Sequence, residues 1–247
     1  MAEAIYWGGQ TEAYLSRFQK NQGKTNHCGA YSVAVAVSLL RGGQRLDYDQ
    51  VVAYADRHAL LQTPSLAGLR NALTGKSLRL WKGGPMTPHQ QARLARYIAA
   101  QHGLEVEVNV RPGAPADLIS ALRQPDTVVL VTVGWNDRTR PEIVGPKGAV
   151  WRFAAVDSLS VGKIRIKYPF GAHVMVLAAY DPSRSFKKGD DAIVTPWGFI
   201  NSWVDGPDPD SPAGGELFWM TDAHFRRAWE YPILIGSRCM VTVRRVR

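Results

Sequence analysis

Cys28 lies where a polar loop of the sequence gives way to an apolar run. The loop reads NQGKTNH over 21–27, and the run reads AYSVAVAVSLL over 30–40. A helix that begins near Cys28 places unpaired backbone N–H groups and about half a positive charge beside the sulfur, which favours the nucleophilic thiolate. Gln22 lies six residues upstream, where its amide can donate a hydrogen bond beside the sulfur. The alternative is a small, buried, unreactive thiol.

A nucleophilic cysteine also needs a base for its proton, a group that orients the base, and donors for the oxyanion. His173 opens the apolar run HVMVLAAY, at the mouth of a predicted strand, and is the candidate base. Asn201 lies in GFINSWV, on a predicted strand that can pair with the His173 strand, and its carbonyl can accept from the imidazole Nδ1–H. Trp203 points to the same face as Asn201 and can shield that bond from water. Singly, these three residues are better explained as a core histidine, a strand-end amide and a core aromatic.

The first part of the chain is predicted to be mainly helical. The run that follows Cys28 is apolar on all sides and ends at Gly42-Gly43, as expected for a helix buried in a core. Asp47 and Thr87-Pro88 are typical of helix starts, and Gly75 and Gly103 of helix ends. The further predicted helices cover 10–20, 47–60, 65–75 and 88–102.

The rest of the chain is predicted to be mainly sheet, because β-branched and alternating apolar segments dominate it. The predicted strands cover 104–110, 126–135, 149–158, 163–168, 172–181, 198–204 and 239–246, with helices at 111–124 and 216–230. We therefore predict an α+β fold in a single domain of 247 residues, with a helical N-terminal lobe over about 1–103 and an antiparallel β-rich C-terminal lobe over about 104–247.

Composition agrees with a folded globular chain, since 45% of the residues are hydrophobic and 21% are charged. The net charge is +9 and the pI is about 9.7, but the basic residues are spread through the chain. No zinc-finger, RNP or helix-turn-helix pattern accompanies them, so we expect a solvated basic surface and no nucleic-acid partner.

The location of the chain is predicted to be cytoplasmic. The N-terminus lacks a basic region followed by an apolar one, and no stretch approaches the ~18 apolar residues of a membrane span. Two cysteines, Cys28 and Cys239, are too few for a disulfide framework and fit a reducing compartment. Cys239 lies in the strand-like run CMVTV and is interpreted as a core thiol. The oligomeric state is not set by these features.

No metal or organic cofactor is expected. The sequence has no phosphate-binding glycine loop and no HExxH motif. Aspartates at 205, 208 and 210 lie in a Pro- and Gly-rich loop over 205–215, but they lack EF-hand spacing. His27 is interpreted as a rim or substrate-contact residue. The four remaining histidines are expected at the surface or its boundary: His58, His89, His102 and His224.

The order Gln22, Cys28, His173, Asn201-Ser202-Trp203 resembles that of papain-like cysteine peptidases. The resemblance implies a papain-like two-lobe fold with the active site in the cleft between the lobes. It assigns Gln22 and the Cys28 backbone N–H to the oxyanion hole, and makes Cys28 the nucleophile. It further makes His173 the general base and acid, Asn201 its orienting group, and Trp203 the shield.

The segment HCGAY over 27–31 departs from that family's Cys-Gly-Ser-Cys-Trp, and the disulfides and the inhibitory propeptide are missing, so the secreted and lysosomal branch is not expected. A closer resemblance is to the bacterial double-glycine leader peptidase-like group, of the bacteriocin-processing type. It is carried by the Gln-x5-Cys-Gly start, the unit LARYIAAQHGLEVEV, the unit LISALRQPDTVVLVTV and the strand HVMVLAAYD. That group uses the Asp of an Asp-Pro pair, but Asp181-Pro182 follows His173 too closely, so Asn201 remains the candidate.

The sequence therefore predicts a thiol protease-like hydrolase that cleaves a peptide or isopeptide bond through a Cys28-His173-Asn201 triad and an acyl-enzyme. Two alternatives stay open. The same triad can pass the acyl group to an amine, as in acyltransferases, transpeptidases and transglutaminase-like proteins. A papain-like fold can also serve as a catalytically silent binding module, in which case His173 and Asn201 lie beyond hydrogen-bond reach. The substrate is a peptide or protein whose identity the sequence does not give.

Overall fold

The structure is a computed structural model that describes residues 3–22, 25–58, 86–145, 148–153, 157–161, 164–168, 170–188, 190–202, 216–232 and 237–246. The described helices are α1 (Glu12–Ser16), α2 (Cys28–Leu40), α3 (Tyr48–Arg57), α4 (Pro88–Gln101), α5 (Pro115–Leu122) and α6 (Asp222–Glu230). The expected helix at 65–75, Trp203 and the loop at 205–215 lie outside the described residues.

The described strands follow the chain from β1 to β13. They are β1 (Ile5–Tyr6), β2 (Val106–Pro112), β3 (Thr127–Asn136), β4 (Glu142–Val144), β5 (Val150–Arg152), β6 (Asp157–Val161), β7 (Ile164–Tyr168), β8 (Phe170–Tyr180), β9 (Ser185–Lys188), β10 (Asp191–Val194), β11 (Trp197–Ile200), β12 (Phe218–Met220) and β13 (Cys239–Arg245). The helices accompany a large antiparallel sheet, and the predicted α+β fold class is confirmed.

The main sheet has nine strands in the described part of the chain, in the order β2-β13-β3-β8-β11-β12-β4-β5, with β1 paired to the far end of β8. Neighbouring strands are antiparallel. Every residue of β3 from Thr127 to Trp135 is buried, which requires cover on both faces. Helices α2, α5 and α6 all pack against β3. The strand pairs β6-β7 and β9-β10 form two smaller sheets.

Helix α2 lies inside the core, as its sequence predicts. All 13 of its residues are buried, and it packs between the sheet, through β3 and β8, and the helices α3 and α4. Its polar side chains are paired: Ser38 Oγ donates to Ala34 O at 2.7 Å and accepts from Leu46 N at 3.0 Å. Gly42 and Gly43 end the helix with φ values of 72° and 84°, which residues with a Cβ rarely adopt.

The predicted caps of the two helices that flank α2 are present. The Asp47 carboxylate accepts from the backbone N–H groups of Asp49 and Gln50 at the start of α3. Thr87 forms a capping box with Gln90 at the start of α4, and Pro88 occupies the first helical position. These local bonds fix where the helices that cover α2 begin.

Two segments differ from their predicted structure. Residues 216–230 were predicted as one helix, but the first part is strand β12 and the helix α6 begins only after the N-cap Thr221. Three consecutive residues of this segment are buried and paired with β11: Phe218, Trp219 and Met220. An amphipathic helix buries only one face, so it could not bury three consecutive side chains. The predicted strand at 149–158 is interrupted: β5 ends at Arg152 and β6 begins at Asp157.

The region around α1 is tied to the segment that leads into β12. Glu12 Oε1 accepts from Leu217 N at 2.8 Å and from Trp219 Nε1 at 2.9 Å. Gln19 Nε2 donates to Glu216 O at 2.8 Å. These bonds join stretches about 200 residues apart in sequence and hold α1 beside the sheet. Within the described residues, no helix has the length and apolar character needed to cross a membrane.

We expect Gly171→Ala to destabilise the protein, because a Cβ at this position would lie 2.7 Å from Cε2 of Trp135 on the neighbouring strand. Forcing these atoms apart should lower the free energy of unfolding by about 1–3 kcal/mol in urea titrations. The control is the same change in a Trp135→Phe background, where the smaller ring leaves room and the cost should shrink. An equal cost in both backgrounds would contradict this account.

Candidate active site

Cys28 is the first residue of α2, and His27 is its N-cap. No side chain caps this helix start, and its first turn carries no acidic residue. The first bond of the helical ladder is Tyr31 N–H to His27 O, at 3.0 Å. The backbone N–H groups before Tyr31 therefore have no partner within the helix and point toward the Cys28 end. A helix start of this kind stabilises negative charge on the thiol and on an oxygen beside it.

One hydrogen bond docks this end of α2 onto the strand that carries His173. Ser32 Oγ donates to Val174 O at 3.1 Å, and both groups are buried. Ser32 lies four residues after Cys28, so the two side chains share one face of α2. Val174 directly follows His173 in β8. This bond therefore fixes the Cys28 end of α2 against the His173 end of β8.

His173 and Asn201 form a buried hydrogen bond, with 2.7 Å between His173 Nε2 and Asn201 Oδ1. The two residues are 2% and 1% exposed. The predicted bond through Nδ1 is wrong, since Nε2 makes it. A carbonyl oxygen opposite Nε2 requires the proton on Nε2, so the neutral ring has its basic lone pair on Nδ1.

The backbone places these two residues slightly differently from the sequence prediction. His173 is the fourth residue of β8, opposite Val133 of β3, and so lies inside the strand, not at its mouth. Asn201 is one residue beyond the end of β11, not on the strand. The expected pairing of the two strands is present, with a register irregularity between Gly198 and Phe199.

Gln22 is linked to the residue that follows Asn201. Gln22 N donates to Ser202 O at 2.7 Å, and Ser202 Oγ donates to Gln22 Oε1 at 2.8 Å. Gln22 Nε2 donates to Thr25 O at 2.5 Å. Because the Thr25 carbonyl can only accept, the amide nitrogen must lie on that side, toward the loop that leads into α2. The candidate oxyanion donor is thus bonded to Ser202, the chain neighbour of the candidate orienting residue Asn201.

Burial controls the protonation of His173. It lowers the pKa of the imidazole from 6.5 to about 4, and the hydrogen bond to Asn201 opposes that shift. The free-energy cost of removing an imidazolium from water is larger than the stabilisation from its hydrogen bond to the Asn201 amide, because Asn201 carries no compensating charge. His173 is therefore an uncharged imidazole near neutral pH, as a proton acceptor has to be.

His27 is half-buried beside Cys28, and its Nε2 is buried with no hydrogen-bond partner in the described part of the chain. Burial lowers the pKa of His27, whereas the carboxylates of Asp56 and Asp49 act to raise it. Its position as the N-cap of α2 is compatible with the predicted place at the rim.

Cys239 lies on β13, separated from the His173 strand by β3. It is buried, burial raises the pKa of its thiol to about 11, and neither cysteine is in a disulfide. Its interpretation as a core thiol fits these observations. His58, His89 and His102 are exposed and His224 is half-buried, as expected. Among the described residues, no group of three or more His, Cys, Asp or Glu side chains could hold a metal ion.

Two aromatic residues beside His173 were not identified from the sequence. The ring of Phe153 lies 5.0 Å from the imidazole, centroid to centroid, and stacks on Trp135 at 4.6 Å. The sequence predicts a strand around each residue, over 126–135 for Trp135 and over 149–158 for Phe153. Nothing in the sequence indicates that the two rings meet. Trp203, the shield predicted from the sequence, lies outside the described residues.

We expect His173 to remain neutral where an ordinary histidine titrates. Its pKa of about 4 lies below the usual 6.5, so the unfolded chain takes up this proton first as the pH falls. The free energy of unfolding should therefore decrease between those two pH values, by up to about 3 kcal/mol more than in a His173→Gln variant. Nitrogen-15 NMR of the imidazole and urea titrations at several pH values measure both effects. A titration midpoint near that of a free histidine would contradict the burial argument.

Comparison with known proteins finds similarity among solved structures. No protein-family model matches the chain, and no curated protein matches it. A crystal structure described as that of a "putative C39-like peptidase" from Bacillus anthracis is similar, with 13% sequence identity, a TM-score of 0.49 and 100% of both chains covered. A similarity at this level does not assign the chain to a family.

Proposed function

We propose that this chain is a cysteine peptidase-like hydrolase that cleaves a peptide or isopeptide bond through Cys28, His173 and Asn201. The observation that carries the proposal is the buried hydrogen bond between His173 Nε2 and Asn201 Oδ1. The next residue of the His173 strand, Val174, is hydrogen-bonded to the helix that begins at Cys28. The silent binding-module alternative requires His173 and Asn201 beyond hydrogen-bond reach, and their separation is 2.7 Å.

The proton path follows from the tautomer. Asn201 keeps the proton of the neutral imidazole on Nε2, so Nδ1 is the nitrogen that accepts the Cys28 thiol proton. The thiolate forms at the N-terminus of α2, where the helix dipole lowers its energy. Attack on the carbonyl carbon forms the carbon–sulfur bond and moves an electron pair onto the carbonyl oxygen.

The oxyanion needs preorganised donors. The Cys28 backbone N–H lies at the uncapped start of α2 and is one candidate. The Gln22 amide is the other, and its position is set by Ser202 and Thr25 before any substrate arrives. When the tetrahedral intermediate collapses, the imidazolium gives its Nδ1 proton to the leaving amine. Water then attacks the acyl-enzyme with His173 as the base, and Cys28 is released.

The chemistry of the two cysteines suits a reducing compartment such as the cytoplasm. Neither cysteine is in a disulfide, and a nucleophilic Cys28 must stay reduced to act. A peptide or protein is the proposed partner, since the acyl-enzyme route consumes a carbonyl substrate.

We expect Cys28→Ala to abolish peptide hydrolysis and Cys239→Ser to retain it. Cys28 lies at an uncapped helix start, whereas burial holds the pKa of Cys239 at about 11, so only Cys28 should react readily with iodoacetamide at neutral pH. Mass spectrometry of the labelled protein and of a digested peptide library measures both. Hydrolysis that survives Cys28→Ala would show that the nucleophile is another group.

We expect Gln22→Ala to lower kcat by about 10²–10³ with a smaller change in KM, as the loss of one oxyanion donor does in other acyl-transfer enzymes. Gln19→Ala is the matched control: Gln19 precedes the same loop, but its side-chain amide donates to Glu216 O, so its loss should affect stability more than kcat. Equal losses of kcat in the two variants would contradict the assignment of Gln22.

Hydrolysis and acyl transfer differ only in the group that attacks the acyl-enzyme. Product analysis with an added primary amine distinguishes them: a free acid supports the hydrolase, and an amide product supports an acyltransferase or transpeptidase.

A further inference from the structure

Phe153 lies against the imidazole of His173. The two ring centroids are 5.0 Å apart with an interplanar angle of 55°, and Trp135 stacks on Phe153 at 4.6 Å and 28°. Phe153 and Trp135 are 3% and 1% exposed. The Phe153 ring supplies no oxygen or nitrogen acceptor to a charged imidazole, so its contact with His173 replaces water by hydrocarbon.

The backbone holds this cluster in place from three directions. Trp135 on β3 is paired with Gly171 on β8, and the absence of a side chain at Gly171 lets the indole lie across β8 two residues before His173. Phe153 follows β5, and its N–H donates to Pro141 O at 3.4 Å, next to β4. Phe153, which contacts His173, therefore comes from the β4-β5 edge of the sheet, and Trp135, which stacks on Phe153, comes from β3.

Two effects of an aromatic ring on an imidazolium oppose each other. A ring face attracts a cation by about 0.5–2 kcal/mol, whereas exclusion of water disfavours the charged form. Burial is the larger influence on the pKa of His173 in the described structure, and the Asn201 hydrogen bond acts against it. Val133 on β3 is paired with His173, and Asn201 beyond β11 is bonded to the imidazole; neither side chain titrates. The proposed partner of His173 that does titrate is Cys28, at the start of α2.

We propose that Phe153, backed by Trp135, is a positioning residue that keeps water from His173 and so maintains it as a neutral base. Phe153 does not touch the reacting atoms, and it acts through the imidazole. Its catalytic consequence rests on the proposed function, because only a neutral His173 can accept the thiol proton of Cys28. Its effect on the imidazole itself does not depend on any activity.

The test is an NMR titration of His173 in the full chain. It compares the native protein with Phe153→Ala and Phe153→Leu, and each of the three is also titrated with Cys28→Ala added. Water reaches the imidazole most readily in Phe153→Ala. Its pKa should rise from about 4 by about one unit or more toward 6.5, with Phe153→Leu in between. Phe186→Ala is the matched control, since Phe186 is a half-buried ring on β9 that packs on the same core, and it should leave the midpoint unchanged.

A folded Phe153→Ala protein whose midpoint stays within about 0.3 units of the native value would overturn the proposal, as would an equal shift in Phe186→Ala. If Phe153→Ala does not fold, Phe153→Leu decides: a raised midpoint supports the proposal and an unchanged one overturns it. In an active enzyme, the acid limb of kcat/KM should move to higher pH in the same order. A chain with no hydrolytic activity that still shows the shift would refute the proposed function and leave the role of Phe153 intact.

Discussion

Burial of α2 is the constraint on which the rest of the structure depends. A helix that is apolar on every side has to be surrounded, and here the sheet covers it through β3 and β8 while α3 and α4 cover the opposite side. Only the ends of such a helix can meet a polar environment. Cys28 occupies the N-terminal end, so the packing of the core and the placement of the candidate nucleophile have one cause.

Three buried polar contacts join segments that are far apart in sequence. Ser32 joins α2 to Val174, His173 joins Asn201, and Gln22 joins Ser202. Leaving one of these buried groups unpaired would lower the stability by about 1–3 kcal/mol. The three contacts therefore fix the relative positions of their segments, which hydrophobic packing alone does not specify. The proposed base, orienting amide and oxyanion donor are all members of these pairs.

The sequence was sufficient for elements whose signals are local. The bounds of α2 follow from its apolar run and Gly42-Gly43, and the starts of α3 and α4 follow from Asp47 and Thr87. Strand β12 was missed because three consecutive apolar residues before a helix cap fit a helix as well as a buried strand. Its identity depends on pairing with β11, which is a tertiary property.

The candidate site shows the same division. The choice of Cys28, His173 and Asn201 came from residue types and their order. The orientation of the His173 ring could not be predicted in this way. The imidazole nitrogen that meets Asn201 depends on the register of β8 and β11, including the irregularity after Gly198. Phe153 could not be found from the sequence for a related reason. It meets His173 through a strand order in which β4 and β5 lie at the sheet edge, and linear spacing carries no trace of that order.

The position of β8 in the middle of the main sheet has a further consequence, for the motions of the folded chain. β8 is paired on both sides and buried from His173 to Ala179, and such a strand opens only when most of the molecule unfolds, whereas segments held by a few bonds open in local fluctuations. His173 therefore belongs to the slowest-opening unit of the protein. Gln22, on a loop that leads into α2, belongs to a weaker one. The segment that carries Gln22 is therefore expected to open more often than the strand that carries His173.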